Sequence, residues 1–402
     1  MIISLLSAEF LSFSLVTVVL IVSLGGFTRQ VAFLIFNLGF VWMLLGTQGT
    51  VSTAGFCLLG YALARAHLRW PDLRLAYTLS PLIVLFAYMR QYEFLQWILP
   101  DQILTSLLRT VGLSFILFRI IHVIVDTRSR TLGTLGFFTY MNYCLSFTTL
   151  LMGPIQRYQD FSDQWHGTRQ AIDLTFEAHF DAVLRILFGL VKAYILAPWV
   201  ESFALAPDTN VLDLSPGGWI AGLYGFYFFL YLNFSGYCDV VIGVGSLLGV
   251  RPPENFNLPF LARNISDFWL RQHRSLTLWL TDYVFSPAYK AMLSGRALAG
   301  SPLLAAALAL LLTMLVSGLW HGTTIGFLFF GLAHGVFLAT YRVWDHLLVG
   351  RLGRKRAAAL RSTWPARAAG IFLTFNAAAF AFLFFRLDTP HLLLLLKGVF
   401  GA

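Results

Sequence analysis

The few ionisable side chains inside the apolar stretches of this sequence fall beside glycines and aromatic residues. The tightest grouping is Ser317-Gly318-Leu319-Trp320-His321-Gly322, which sets an imidazole between an indole and a glycine. An imidazole titrates near 6.5 when unperturbed, at about the pH where a base can take a proton from a hydroxyl attacking an acyl carbonyl. His321 is therefore the leading candidate for chemistry, with Trp320 as an aromatic wall. Its flanking glycines would let a ligand or another backbone come close. A second polar group is still needed to hold the carbonyl. Asp239, His273 and His334 are the other titratable groups in apolar surroundings, where such groups are costly and mark function by default.

Each of these residues also has a plainer reading. A lone histidine in a membrane helix commonly bonds to or packs against a neighbouring helix. That reading is kept for His334, which stands beside Gly335 on the face below His321. Asp239 follows Gly236-Tyr237-Cys238 and fits a bond to nearby backbone as well as a substrate contact. Arg263, Arg271 and Arg274 fit anchoring to lipid headgroups, or a grip on a phosphate-bearing acyl donor. His122, His166, His179, His346 and His391 flank loops or interfaces and need no role. No G-x-S-x-G elbow, HExxH run or paired-histidine spacing is present, so neither a serine-elbow hydrolase nor a metal site is expected. Gly243, Gly245 and Gly249 lack dinucleotide-fingerprint spacing and read as close helix packing.

The elements that position these residues follow from composition. Of 402 residues 58% are hydrophobic and 12% charged, against about 25% charged in a soluble domain. Apolar runs are continuous rather than alternating, which excludes a membrane β-barrel and predicts an all-α, polytopic transmembrane fold. The runs lie at roughly 10–27, 30–47, 48–64, 77–98, 103–124, 133–152, 186–203, 217–250, 300–319, 323–345 and 369–387. That is about 10 to 11 spanning helices plus re-entrant and interfacial ones. The net charge of +9 sits in short loops: Arg65, Arg69 and Arg74, then Arg128 and Arg130, then six basic residues between 351 and 367. This is the positive-inside pattern of cytoplasmic loops, not a nucleic-acid surface. Cys57, Cys144 and Cys238 read as small core residues. No cleavable leader is expected, since Glu9 interrupts the first apolar run and no basic region precedes it.

Placing Arg29 inside and the N-terminus outside satisfies this rule up to residue 132. A full crossing by 133–152 would send Arg157 and Arg169 outside and the base-free loop 204–216 inside. This segment, which ends at Gly153-Pro154, is therefore expected to enter and return on the cytoplasmic side. Such backbone is tolerated only under cover of protein or around a cavity. Between Asn264 and Tyr283, apolar residues at three- and four-residue spacing predict an amphipathic helix, with Asp267 and Arg271 paired on its polar face and His273 turned inward. His321 is expected at a bend between two antiparallel helices. The whole chain reads as one membrane domain: N-terminal helices 1–132, a catalytic core 133–345 and C-terminal helices 346–402.

Several of these stretches resemble the membrane-bound O-acyltransferases, in the branch of the alginate O-acetyltransferases and D-alanyl-teichoic-acid transferases. They are Gly153-Pro154-Ile155-Gln156-Arg157-Tyr158, Tyr231 to Asp239, Pro253-Glu254-Asn255-Phe256-Asn257, Phe268-Trp269 to His273, Trp279 to Tyr283, and Leu319-Trp320-His321-Gly322 followed by Gly331 to Gly335. The resemblance covers about 140–345. It implies that His321 is the catalytic histidine and that His273 is the family's other characteristic one, taken here as its catalytic partner; Trp320, Asp239, Arg271, Arg274 and Arg157 are the candidates for binding substrate or donor. Around His273 this sequence departs from the family pattern, with Leu270 and Gln272 before it and Arg274 after.

The implied reaction moves an acyl group, acetyl by default, from a cytoplasmic thioester to a hydroxyl of an extracytoplasmic polysaccharide or other cell-envelope glycan. The implied donor is a coenzyme A thioester or an acyl carrier protein, used as co-substrate with no bound cofactor. The implied setting is the bacterial cytoplasmic (inner) membrane, among membrane lipid, with an extracytoplasmic partner transferase to deliver the acceptor. The competing class is a secondary transporter or lipid flippase in which Asp239 and His321 relay protons. Such proteins commonly show matched halves, and no internal symmetry is visible here.

Overall fold

The computed structural model describes residues 7–90, 92, 112–166, 175–296 and 298–400, and its regular structure over these residues is helical. Among the described residues, six helices are long and apolar enough to cross a membrane: Gly26–Arg69, Phe176–Glu201, Pro216–Leu247, Pro302–His321, Ile325–Ser362 and Trp364–Arg386. Ala8–Val22 and Leu75–Arg90 are apolar but shorter. The protein is a multi-pass helical membrane protein, as its composition requires. Fewer full-length spans emerge than there are apolar runs. The runs 30–47 and 48–64 share one helix, interrupted at Gly46 by a positive φ of 66°. The end of 77–98, the start of 103–124 and Arg169 lie outside the described residues.

The chain forms two compact units, residues 1–195 with 232–254, and residues 196–231 with 255–402. The first contains α1 (Ala8–Val22), α2 (Gly26–Arg69), α3 (Leu75–Arg90), α4 (Leu113–Arg128), α5 (Phe137–Leu145), α6 (Phe147–Leu150) and α7 (Tyr158–His166). It also holds most of α8 (Phe176–Glu201) and the second half of α9 (Pro216–Leu247).

Within this unit the run 133–152 is not one helix, because α5 stops after nine residues at Ser146. Nine residues at about 1.5 Å rise reach less than half of a hydrocarbon layer about 30 Å thick. Ending a helix in buried surroundings leaves carbonyls without partners. Here Arg119, which is 2% exposed, supplies the donors. Its Nη1 donates to the Tyr143 and Cys144 carbonyls at 2.7 and 2.9 Å, and its Nη2 to Thr149 Oγ1 at 2.5 Å. Asn37 completes the junction from α2. Its Oδ1 accepts from the Phe147 backbone N–H at 3.0 Å and its Nδ2 donates to Asn142 Oδ1 at 3.0 Å.

The second unit holds the rest of α8 and α9, then α10 (Ile265–Arg271), α11 (Arg274–Leu280), α12 (Ser286–Ser294), α13 (Pro302–His321), α14 (Ile325–Ser362), α15 (Trp364–Arg386) and α16 (Thr389–Phe400). The amphipathic helix expected over 264–283 is interrupted: α10 and α11 are separate, and His273 between them has a left-handed backbone at φ 47°, ψ 50°. Its side chain does point inward, being 3% exposed. Tyr224 on α9 donates to Asn376 Oδ1 on α15 at 2.7 Å, and Arg386 Nε donates to the Leu205 carbonyl at 2.5 Å, so α15 is tied to the chain on either side of α9's start.

Replacing Arg119 with Met would leave two buried carbonyls and a hydroxyl without donors. Hydrogen bonds to a charged group contribute about 1.5–3 kcal/mol each, so Arg119→Met is expected to lower the thermal midpoint of the detergent-solubilised protein substantially. An unchanged midpoint in a thermal melt would contradict this account of the junction.

Candidate active site

The site is built on α13, α14 and the break between α10 and α11, all in the second unit. Helix α13 ends at His321, and Gly322 leaves it in an extended conformation. Helix α14 returns antiparallel with its backbone against that of α13. A Cβ on Gly318 would collide with the Phe327 carbonyl, and one on Gly331 with the Met314 carbonyl. Close approach of the two helices is thus what these glycines permit, and it fixes Trp320 and His321 at the head of the pair.

His321 is half-buried rather than sealed. Aromatic rings surround it: Trp320 at 4.5 Å between centroids, Phe385 at 5.3 Å and Phe330 at 5.4 Å, each edge to face. His273 lies 6.4 Å away, and its ring also meets Trp320 at 5.6 Å. His273 sits between the spans and is buried. Burial first, and then the neighbouring His321, holds its pKa well below the ordinary histidine value. The neutral imidazole is therefore its form at neutral pH.

The break that carries His273 is held by the stretch before it. Asn264 caps α10 by accepting from the Asp267 N–H at 2.8 Å. The Arg271 carbonyl at the far end accepts from the Asn257 N–H at 2.9 Å, and the Asn255 carbonyl accepts from the Arg274 N–H at 2.9 Å. Asn255 Oδ1 accepts from the Ser275 N–H at 3.1 Å, from Ser275 Oγ at 2.8 Å and contacts His273 Nδ1 at 3.2 Å. Thr277 Oγ1 donates to the Trp269 carbonyl at 2.6 Å, clasping α11 to α10. A left-handed residue other than glycine is unfavourable, and these bonds overdetermine it.

The family model described as membrane-bound O-acyltransferase matches residues 74–349, a stretch that includes Asn255, His273, Trp320 and His321. The chain belongs to that family. It is 28% identical over 289 residues to a teichoic acid D-alanyltransferase of Streptococcus thermophilus, covering 70% of this chain and 69% of the relative. It is 34% identical over 243 residues to a probable alginate O-acetylase of Pseudomonas aeruginosa, covering 60% and 44%. A peptidoglycan O-acetyltransferase of Helicobacter pylori is 28% identical over 369 residues, covering 90% and 65%. The chain thus spans less than half the length of the alginate relative.

Within this acyltransferase fold, His273, Trp320 and His321 come together. Arg271 is half-buried and engaged by Asp267 at 2.8 Å, and its Nη1 donates to the Asn257 carbonyl at 3.3 Å. Arg274 is half-buried just past the break. Asp239 and Arg157 belong to the other unit. Asp239 accepts from Lys192 Nζ at 2.6 Å and Arg185 Nε at 3.1 Å, and Arg185 also pairs with Glu254 at 2.6 Å. Arg157 immediately precedes Tyr158, whose N–H donates to His122 Nε2 at 2.9 Å. His334 is fully buried, stacked on Phe268 at 5.8 Å and edge-on to Phe330 at 4.7 Å, and neither of its ring nitrogens has a protein partner.

Sequence reasoning passed over Asn255, Arg119, His122 and the cations Arg185 and Lys192. The last two could have been found, since they are seven residues apart in an apolar run and so fall on one helical face.

Gly331→Val would insert side-chain atoms where the Met314 carbonyl now sits. Overpacking of this kind costs about 1–3 kcal/mol. The variant is expected to melt at lower temperature and to lose activity through displacement of His321. Wild-type melting would show that the helices have room to spare.

Proposed function

We propose that this chain transfers a short acyl group, acetyl by default, from a cytoplasmic thioester to a hydroxyl on an extracytoplasmic cell-envelope glycan. The observation that carries the reading is the half-buried imidazole of His321, held by aromatic rings beside a buried neutral His273 in a chain of the O-acyltransferase family. The acceptor class is supported by relatives named for alginate, peptidoglycan and teichoic acid, all cell-envelope or extracellular polymers. That acceptor class and the apolar helices support the bacterial inner membrane as the setting.

His321 takes the proton of the acceptor hydroxyl as its oxygen attacks the thioester carbonyl carbon. The carbon–sulfur bond then breaks, and the imidazolium returns the proton to the departing thiolate, giving an ester and a free thiol. An aromatic, poorly solvated shell favours this step because competing hydrolysis needs water. Arg274 and Arg271 are the cations proposed to meet a phosphate-bearing donor, either a coenzyme A thioester or an acyl carrier protein. Arg157, Asp239 and Trp320 complete the binding set. An extracytoplasmic partner transferase is the expected means of delivering the glycan acceptor to this site.

Removing a general base lowers rate by about 10²–10⁴-fold. His321→Ala is expected to retain its melting temperature and lose acyl transfer by that factor, measured with radiolabelled acyl thioester in proteoliposomes. Full transfer by a folded His321→Ala protein would sink the assignment. Solute flux in the same vesicles without any acyl donor would instead favour a transporter.

A further inference from the structure

The side chain of Asn255 is 1% exposed and makes more bonds across the helix break than any neighbour named above. We infer that Asn255 is a positioning residue that dictates which nitrogen of His273 carries the hydrogen, leaving His273 a hydrogen-bond acceptor in the reaction centre.

The Ser275 backbone N–H can only donate, and it lies 3.1 Å from Asn255 Oδ1. An amide NH₂ in that position would face a donor with a donor, so the oxygen must be there. The atom opposite is His273 Nδ1 at 3.2 Å. A bond to that oxygen requires a hydrogen on Nδ1. A neutral imidazole has only one N–H, so Nε2 holds the lone pair.

The geometry leaves the amide little freedom to turn over. The Ser275 hydroxyl, at 2.8 Å, is a third group on the same oxygen, and the Asn255 carbonyl is itself held by the Arg274 N–H at 2.9 Å. The rings packed on His273 are those of Trp320 and His321. The charged and titratable groups on the elements around it are His321 on α13, and Asp267, Arg271 and Arg274 on its own two helices, the first two of these paired with each other. Of these, His321 disfavours the cation of the His273 ring.

Resting on the acyl-transfer reading, one consequence concerns mechanism. A neutral His273 with a bare Nε2 can orient an N–H or O–H group, such as the acceptor hydroxyl or an N–H of His321. It cannot donate from Nε2 to the negative oxygen of a tetrahedral intermediate, which must find its donor elsewhere. The tautomer itself stands independently of what the protein transfers.

The test uses the full-length chain in detergent micelles with ¹⁵N-labelled histidine. At pH 7.5 the His273 resonances, identified by their loss in His273→Gln, are expected to show a protonated Nδ1 and an unprotonated Nε2. Asn255→Asp keeps an acceptor in the same place but adds a negative charge, and an adjacent charge of this kind moves a pKa by about 1–3 units. In that variant the His273 pKa is expected to rise by about that amount. The acid limb of its kcat/KM profile should move up by about one unit or more, with KM for acetyl-coenzyme A changing less than about twofold. A hydrogen on Nε2 in the wild type, or an Asn255→Asp ring that titrates like the wild type, would overturn the inference. If no acyl transfer is found with any donor, the rate measurement is silent and the functional reading fails, while the NMR result still decides the tautomer.

Discussion

A helix interrupted in apolar surroundings survives only if every backbone group freed by the interruption finds a partner. An unpaired buried carbonyl or N–H costs about 1–3 kcal/mol, comparable with a sizeable part of a protein's net stability. This protein interrupts helices twice at buried positions and meets the requirement in two ways. At Ser146 a guanidinium does it, with Arg119 reaching two carbonyls and a hydroxyl. At His273 an extended stretch does it, with Asn255 and Asn257 pairing to both helix ends through backbone and amide groups. The first solution places a cation in the core of one unit. The second uses only neutral amide and backbone groups.

That difference matters for what each place can do. Beside His321, the near neighbours are Trp320, Phe330 and Phe385, with His273 neutral next to them. The sides of His321 that these rings cover are therefore apolar. Asp239 lies in the opposite kind of environment, bonded to both Lys192 and Arg185. Its carboxylate is already engaged by two cations, which suits a structural clamp on α8 and α9 as well as it suits a binding role.

The packing of α13 on α14 sets where His321 stands. Gly318 and Gly331 bring the two backbones into contact, so the end of α13 is placed by main-chain atoms rather than by adjustable side chains. His321 then has little room to drift. Phe330 touches both His321 and His334, so the fully buried His334 is packed into the wall of the same aromatic cluster.

The sequence by itself determined the solvent this chain must occupy, because its apolar runs exceed what any soluble core could hide. It also determined the helical class, and it singled out Trp320-His321-Gly322, since a base, an indole and a glycine in succession are visible in one dimension. The absence of an unbroken helix over 133–152 could be anticipated, because its Gly, Thr and Ser content and its conflict with charge parity are local properties. What the sequence could not decide was where helices stop inside apolar or amphipathic stretches. The periodicity of 264–283 is that of one helix, yet the chain breaks at His273 because Asn255, eighteen residues earlier, competes for the N–H of Ser275. Arg119 was hidden for the same reason. Its partners are carbonyls on another element, and a carbonyl carries no residue identity to read. Only tertiary structure brings a donor to an acceptor across such distances, and those pairings decided which histidines share a site.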